Sequence, residues 1–222
     1  MAKRVGVILS GCGVYDGSEI HEAVFTLYYL DKAGVEIVCM APNRDQTHVV
    51  NHLTGQVVEG ERRNILVESA RIARGNIRDI STVSAAELDA VVMPGGYGAA
   101  KNLCDFAFKG ANCEVLPEVE RLIWDMHSQG KPVVAICIAP AVAVKALAQK
   151  GVHPKVTIGT DSETAAALEA IGAKHENRTV TEVTLDLENK VITTPAYMLA
   201  QRISEVAEGI ENTINQLIQM LK

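Results

Sequence analysis

Cys137 is the residue whose neighbours best equip it for covalent chemistry in this 222-residue chain. Before it, Pro132–Ile136 is an unbroken apolar run of strand length, as expected of a strand covered on both faces. After it, from Ala139 to Lys150, Val142, Leu147 and the intervening alanines recur at helical spacing. The spacing predicts a tight strand-to-helix junction that lifts the sulfur out of the sheet end into the crevice above. A helix N-terminus at that point is expected to lower the thiol pKa and favour the thiolate. The alternative for the same residue is a buried cysteine acting as a small apolar side chain.

Thiol chemistry on a carbonyl needs somewhere to put negative charge and a group to move protons. Ala90–Met93 reads as another buried strand and ends in Pro94-Gly-Gly-Tyr-Gly98. Backbone amides at Gly95 or Gly96, unencumbered by Cβ atoms, are candidates for holding an oxyanion. Ser18-Glu-Ile-His-Glu22 opens a helix whose two carboxyls lie one turn apart. Glu19 is expected to stabilise the first turn. Glu22, further in, is the candidate proton carrier, with a pKa raised by burial and by a nearby thiolate. His21, His48 and His52 read as loop or surface residues with a lesser prospect of acting as base.

The elements that must position these groups alternate strand and helix. Val5–Leu9 is a strand, Ser18 caps a helix through about Ala33, and Val35–Cys39 is the second strand, a right-handed β-α-β unit. Its loop holds a G-x-G, but strand two ends Cys39-Met-Ala-Pro42 with no acidic residue for a ribose, so nucleotide binding is not expected. Asn43–Arg63 is aperiodic and polar, either lining a site or forming a surface excursion with a short hairpin. Lys101–Glu114 shows no clear period. Helices are expected at Asn64–Arg74, from Pro117 to Gly130, and at Ser162–Ile171 under an Asp161 cap. Thr179–Leu185 and Val191–Thr193 form a hairpin. Leu199, Ile203, Val206, Ile210, Ile214, Leu217 and Leu221 make one apolar helical stripe. Strand–helix alternation of this kind predicts an α/β, doubly wound, mainly parallel sheet with helices on both faces and a small β-hairpin near the C-terminus.

Composition narrows the function classes. A net charge of −6 and the absence of long Lys/Arg runs give no nucleic-acid surface. No stretch is long and apolar enough for a membrane span, and no linker or repeat divides residues 1–222, which are read as a single domain. The five cysteines lack CxxC spacing, so neither a metal site nor a disulfide framework is expected. A reducing, cytoplasmic setting fits.

Five segments in order, Gly11–Glu22, Asn51–Gly55, Pro94–Asn102, Cys137–Pro140 and Thr193–Met198, resemble the enhancing-lycopene-biosynthesis family. These are isoprenoid-biosynthesis glyoxalases of the class I glutamine amidotransferase-like superfamily, grouped with the PfpI-type proteases and the deglycases. The resemblance spans nearly the whole chain. It implies a flavodoxin-like sheet, Cys137 as elbow nucleophile, Glu22 as its acidic partner, and an oxyanion site from the Gly95 or Gly96 amide with that of Ile138. It implies a cofactor-free, metal-free conversion of a small aldehyde, glyoxal to glycolate, in a homodimer. Wider relatives carry a histidine after the elbow helix or a late His-x-Glu pair. Val156–Thr160 and Thr193–Pro195 hold no histidine here, and His175-Glu176-Asn177 does not fit the pair, so glutamine hydrolysis by a full triad is not expected. The other reading is a catalytically weak binding or redox-sensing protein linked to isoprenoid metabolism.

Overall fold

A computed structural model describes residues 2–222. The chain runs β1 (Arg4–Ile8), α1 (Ile20–Lys32), β2 (Glu36–Ala41), then a small hairpin of β3 (Val50–Asn51) and β4 (Gln56–Val57). It continues through α2 (Ile65–Ile72), β5 (Arg78–Asp79), β6 (Ala90–Met93), α3 (Phe106–Lys109), α4 (Pro117–Ser128) and β7 (Val133–Ile136). The remainder is α5 (Pro140–Ala148), β8 (Lys155–Val156), α6 (Ser162–Ile171), β9 (Lys174–His175), β10 (Thr184–Asp186), β11 (Val191–Thr194) and α7 (Ile203–Met220).

Seven strands form the main sheet in the order β10-β11-β7-β6-β1-β2-β5. Every pairing in it is parallel except β10 with β11, the expected C-terminal hairpin. β6 and β7 are buried at every residue, which is why they read as continuous apolar runs. Side chains alternate between two cores. Ile8, Met40, Val91, Met93, Val133 and Ala135 pack under α4 and α5. Val5, Val7, Val92, Val134, Ile136 and Ile192 pack under α1 and α7. The fold is the flavodoxin-like α/β layer structure that the strand–helix alternation predicts.

The strand order reverses between β1 and β6: the chain moves outward from β1 to β2 and β5, then returns to β6 on the other side. Crevices above the carboxyl ends of parallel strands at such a switch are where ligands bind in open α/β sheets. Here four adjacent parallel strands, β1, β6, β7 and β11, end on the same edge.

Two local expectations change. Ser18 does not cap α1; its hydroxyl accepts the Ser10 N–H at 2.9 Å, and Glu19 caps the helix instead by accepting the Glu22 N–H at 2.7 Å. Leu199 lies ahead of α7, at the end of a short turn over Ala196–Met198, so the helical stripe begins at Ile203. Asn43–Arg63 is the surface excursion with a hairpin, tied down by Asp16, which accepts the Val50 N–H at 2.7 Å.

Candidate active site

At the end of β7, Cys137 has a φ of 62°, left-handed backbone that a residue with a Cβ adopts only under constraint. The constraint is visible on both sides. Cys137 N–H donates to Thr194 O at 3.0 Å, and Ala139 N–H donates back to Ile136 O at 3.0 Å. Pro140 then opens α5 at its first position, with φ already set for a helix. The sulfur therefore points off the sheet edge. Cys137 is 8% exposed and borders a cavity of about 420 Å³.

Glu22 meets it there. Its side chain is fully buried, and its two oxygens accept backbone N–H groups from different strand ends: Gly95 on Oε2 at 2.8 Å and Tyr197 on Oε1 at 3.2 Å. The carboxyl lies beside the Cys137 sulfur: a Cβ built on Gly95 would stand 2.6 Å from Glu22 Oε2 and 3.0 Å from Cys137 Sγ. Tyr197 N–H reaches the carboxyl because Ala196 holds a second left-handed backbone, φ 45°, after Pro195. Burial, and then the neighbouring Glu19 carboxyl, push the Glu22 pKa up to about 8, against the pull of the two amides and the thiol.

The cysteine departs from expectation. Burial first, then the Glu22 carboxyl, push its thiol pKa well above the ordinary value, and the Gly96 and Ile138 amides only partly offset this. The predicted thiolate-favouring effect of a helix N-terminus is thus present but outweighed, because desolvation of a buried sulfur and a like charge beside it are the larger effects. The resting pair carries a thiol next to a high-pKa carboxyl.

Of the oxyanion candidates, the Gly95 N–H is committed to Glu22 and positions that carboxyl. The amides of Gly96 and Ile138 are the two that pull the thiol pKa down. Gly95 has to be glycine: a Cβ there would stand 2.4 Å from Cys137 Cβ and 2.6 Å from Glu22 Oε2. Gly96 has φ 97°, and a Cβ would stand 2.3 Å from Gly17 O. These two glycines let three chain segments close on one sulfur.

The histidines stand behind the cavity wall, His48 edge-on against Phe108 with ring centroids 5.5 Å apart. His21 Nδ1 is 2.8 Å from the Tyr197 hydroxyl, His52 bonds Val50 O and the Tyr15 N–H, and His175 accepts the Ile158 N–H. No histidine, lysine or arginine lines the cavity among the described residues. Nor, among them, do three or more His, Cys, Asp or Glu side chains gather as a metal would require. Sequence reasoning missed the Tyr197 amide and the contribution of Phe106 and Phe108 to the cavity wall. The first depends on an unusual φ at Ala196, and the second on a segment without periodicity.

An elbow cysteine beside a buried glutamate at the carboxyl-end edge of a flavodoxin-like sheet defines a class I glutamine amidotransferase-like domain, and the chain belongs to the DJ-1/PfpI family, whose pattern matches residues 12–196. It is 46% identical over 228 residues to the human "Glutamine amidotransferase-like class 1 domain-containing protein 3, mitochondrial", covering 99% of this chain and 84% of that one. It is 45% identical over 226 residues to the rat "ES1 protein homolog, mitochondrial", covering 98% and 84%. A crystal structure of an isoprenoid biosynthesis protein with amidotransferase-like domain from Ehrlichia chaffeensis superposes with a TM-score of 0.90 at 39% identity, covering 98% of this chain and 99% of that one. The names of the curated relatives overturn the cytoplasmic expectation and point to the mitochondrion for proteins of this kind. Cysteine usage had indicated only a reducing setting, which does not separate the two compartments.

Proposed function

We propose that the chain is a cofactor-free glyoxalase that converts glyoxal to glycolate at Cys137 and Glu22. The observation that carries this reading is the buried Glu22 carboxyl packed beside Cys137, whose sulfur borders an open cavity together with Gly96 and Ile138. Glu22, in its carboxylate form, takes the thiol proton as sulfur bonds to one aldehyde carbon. The oxygen of that carbon becomes an alkoxide held by the Gly96 and Ile138 amides, and is then protonated to a hemithioacetal. Glu22 next removes the hydrogen from the sulfur-bearing carbon, giving an enediolate, and returns a proton to the neighbouring carbon. The product is a thioester of glycolate. Water cleaves it, releasing glycolate and restoring the thiol. No electrons leave the substrate: one carbon is oxidised while its neighbour is reduced.

The raised thiol pKa weighs against the redox-sensing alternative, which needs an exposed thiolate at neutral pH. We infer a homodimer as well, from Ile20, Val24 and Tyr28, exposed at four-residue spacing on α1. Sedimentation of Val24→Glu tests it: a drop to the monomer supports the inference, and a monomeric wild type sinks it.

Steady-state kinetics on glyoxal test the main proposal. Cys137→Ala is expected to abolish turnover and Glu22→Gln to lower kcat by at least ~100-fold. Because the active base is the ionised form of a group near pH 8, wild-type kcat/KM should rise about tenfold per pH unit below that value and level off above it. Full activity in Cys137→Ala would end the proposal.

A further inference from the structure

The cavity is far larger than glyoxal, a molecule of four heavy atoms, and its walls have a definite chemistry. The whole chain holds only nine aromatic residues, counted as one tryptophan, five tyrosines and three phenylalanines. Four of the nine, Tyr97, Phe106, Phe108 and Tyr197, border this one cavity. Phe108 and Tyr97 are each 51% exposed, an unfavourable placement for large rings unless something covers them. Two carboxyls, Glu19 and Glu163, share the lining, and none of the described cationic side chains does. Glu19 is more than nine-tenths buried; its Oε2 caps α1, and its Oε1 faces His21 Nδ1 at 3.7 Å.

Positive charge near the cavity is held back from it. Lys101 donates to Tyr15 O at 3.0 Å and stands over the Tyr97 ring, 5.4 Å from its centroid, so one face of Tyr97 already carries a cation. Lys109 is tied to Asp105 at 2.6 Å. Aromatic faces attract cations through their quadrupole, most strongly when water is excluded, and carboxyls add a field of the same sign. An apolar chamber with this lining favours an organic cation and disfavours an anion of the same size.

We propose that the cavity selects a ligand bearing an organic cation, a quaternary or tertiary ammonium group on a small apolar body, seated against Phe106, Phe108 and Tyr197 and opposite Glu19 and Glu163. This deepens the reading above and rests on it only for where the carbonyl end would lie, next to Cys137. The selectivity itself is a property of the cavity and is independent of turnover. It runs against carboxylate- or phosphate-bearing aldehydes, which the same walls repel. Glu163, exposed in the first turn of α6, is the residue that sets the charge preference at the mouth, whereas Glu19 is part of the frame that holds α1.

Binding to the full-length Cys137→Ala protein, which cannot form a covalent adduct, tests this directly. The probes are benzyltrimethylammonium and phenylacetate, alike in bulk and opposite in charge, titrated by calorimetry or ligand-observed NMR at low salt. The cation is expected to bind at least ~10-fold more tightly than the anion, since each carboxyl a few ångströms away in a watery mouth contributes about threefold. Glu163→Gln should narrow the ratio about threefold, and Phe108→Ala should weaken the cation more than the anion. Phenylacetate binding as tightly as the cation, or a ratio unmoved by Glu163→Gln and by Phe108→Ala, would overturn the proposal. Inactivity of the wild type on glyoxal would leave these affinities untouched, so the two readings fail separately.

Discussion

At the scale of the residue, the site is a contest between burial and hydrogen bonding over a single proton. Glu22 sits where two amides favour its charge and the surrounding apolar strand ends oppose it, and burial wins. Both oxygens are fixed by N–H groups just past the ends of different strands, so the carboxyl faces the neighbouring sulfur in one geometry only. Gly95 is the wedge that makes this possible. Gly95→Ala should therefore remove glyoxal turnover and destabilise the fold by roughly 1–3 kcal/mol, since the added methyl must push apart Cys137 and Glu22. Urea denaturation alongside kinetics checks both halves. A fully active Gly95→Ala protein would mean that the sulfur and carboxyl are not held together in solution.

At the scale of the element, the site is assembled from four strand ends and the starts of two helices, and these were unevenly legible in the sequence. β6 matches its predicted span because a fully buried parallel strand leaves an apolar run, closed here by Pro94 and two glycines. The bounds of α6, Ser162–Ile171, also match, because Asp161 and Gly172 mark its two ends chemically. The cavity wall from Ala99 to Cys113 was not legible. Its short, wide turns are closed by long-range bonds, Leu116 N–H to Leu103 O and a bridge between Cys104 and Val115, and no local period encodes a contact across the chain. The fate of Cys137 was half legible: position and turn could be read from the flanking residues, but the thiol's protonation depends on how deeply three segments bury it. One cap carries a consequence for the cavity. Asp161 Oδ1 accepts the Thr164 N–H at 2.8 Å at the start of the helix bearing Glu163. Asp161→Ala should cost about 1 kcal/mol, a fall in Tm of about 2–4 °C in calorimetry, with glyoxal kcat nearly unchanged because α6 touches no reacting atom.

At the scale of the whole molecule, the buried pair gives the fold a pH dependence with a defined sign. The Glu22 carboxyl has its ordinary value of 4.5 when unfolded and about 8 when folded, so the native state holds the proton more tightly. That preference contributes its full stability below pH 4.5 and is lost as pH rises through 8. The slope is about 1.4 kcal/mol per pH unit between those values, roughly 5 kcal/mol in all. At acid pH other carboxyls act in reverse. Asp186 is buried, yet hydrogen bonds from Asn189 and the Lys155 amide hold its pKa below the ordinary value, and Asp161 is lowered by its bonds to Thr164. Their contribution is present above pH 3.8 and lost as the pH falls below it. Stability should then peak in mildly acid solution, near pH 5, and decline toward pH 9. Glu22→Gln keeps a hydrogen-bonding side chain of the same shape but has nothing to ionise, so its decline between pH 5 and 9 should be much flatter than that of the wild type. Urea unfolding at pH 5, 7 and 9 compares the two: equal slopes would show that the Glu22 carboxyl ionises as freely in the folded protein as in the unfolded chain, and the buried base on which the chemistry depends would not exist.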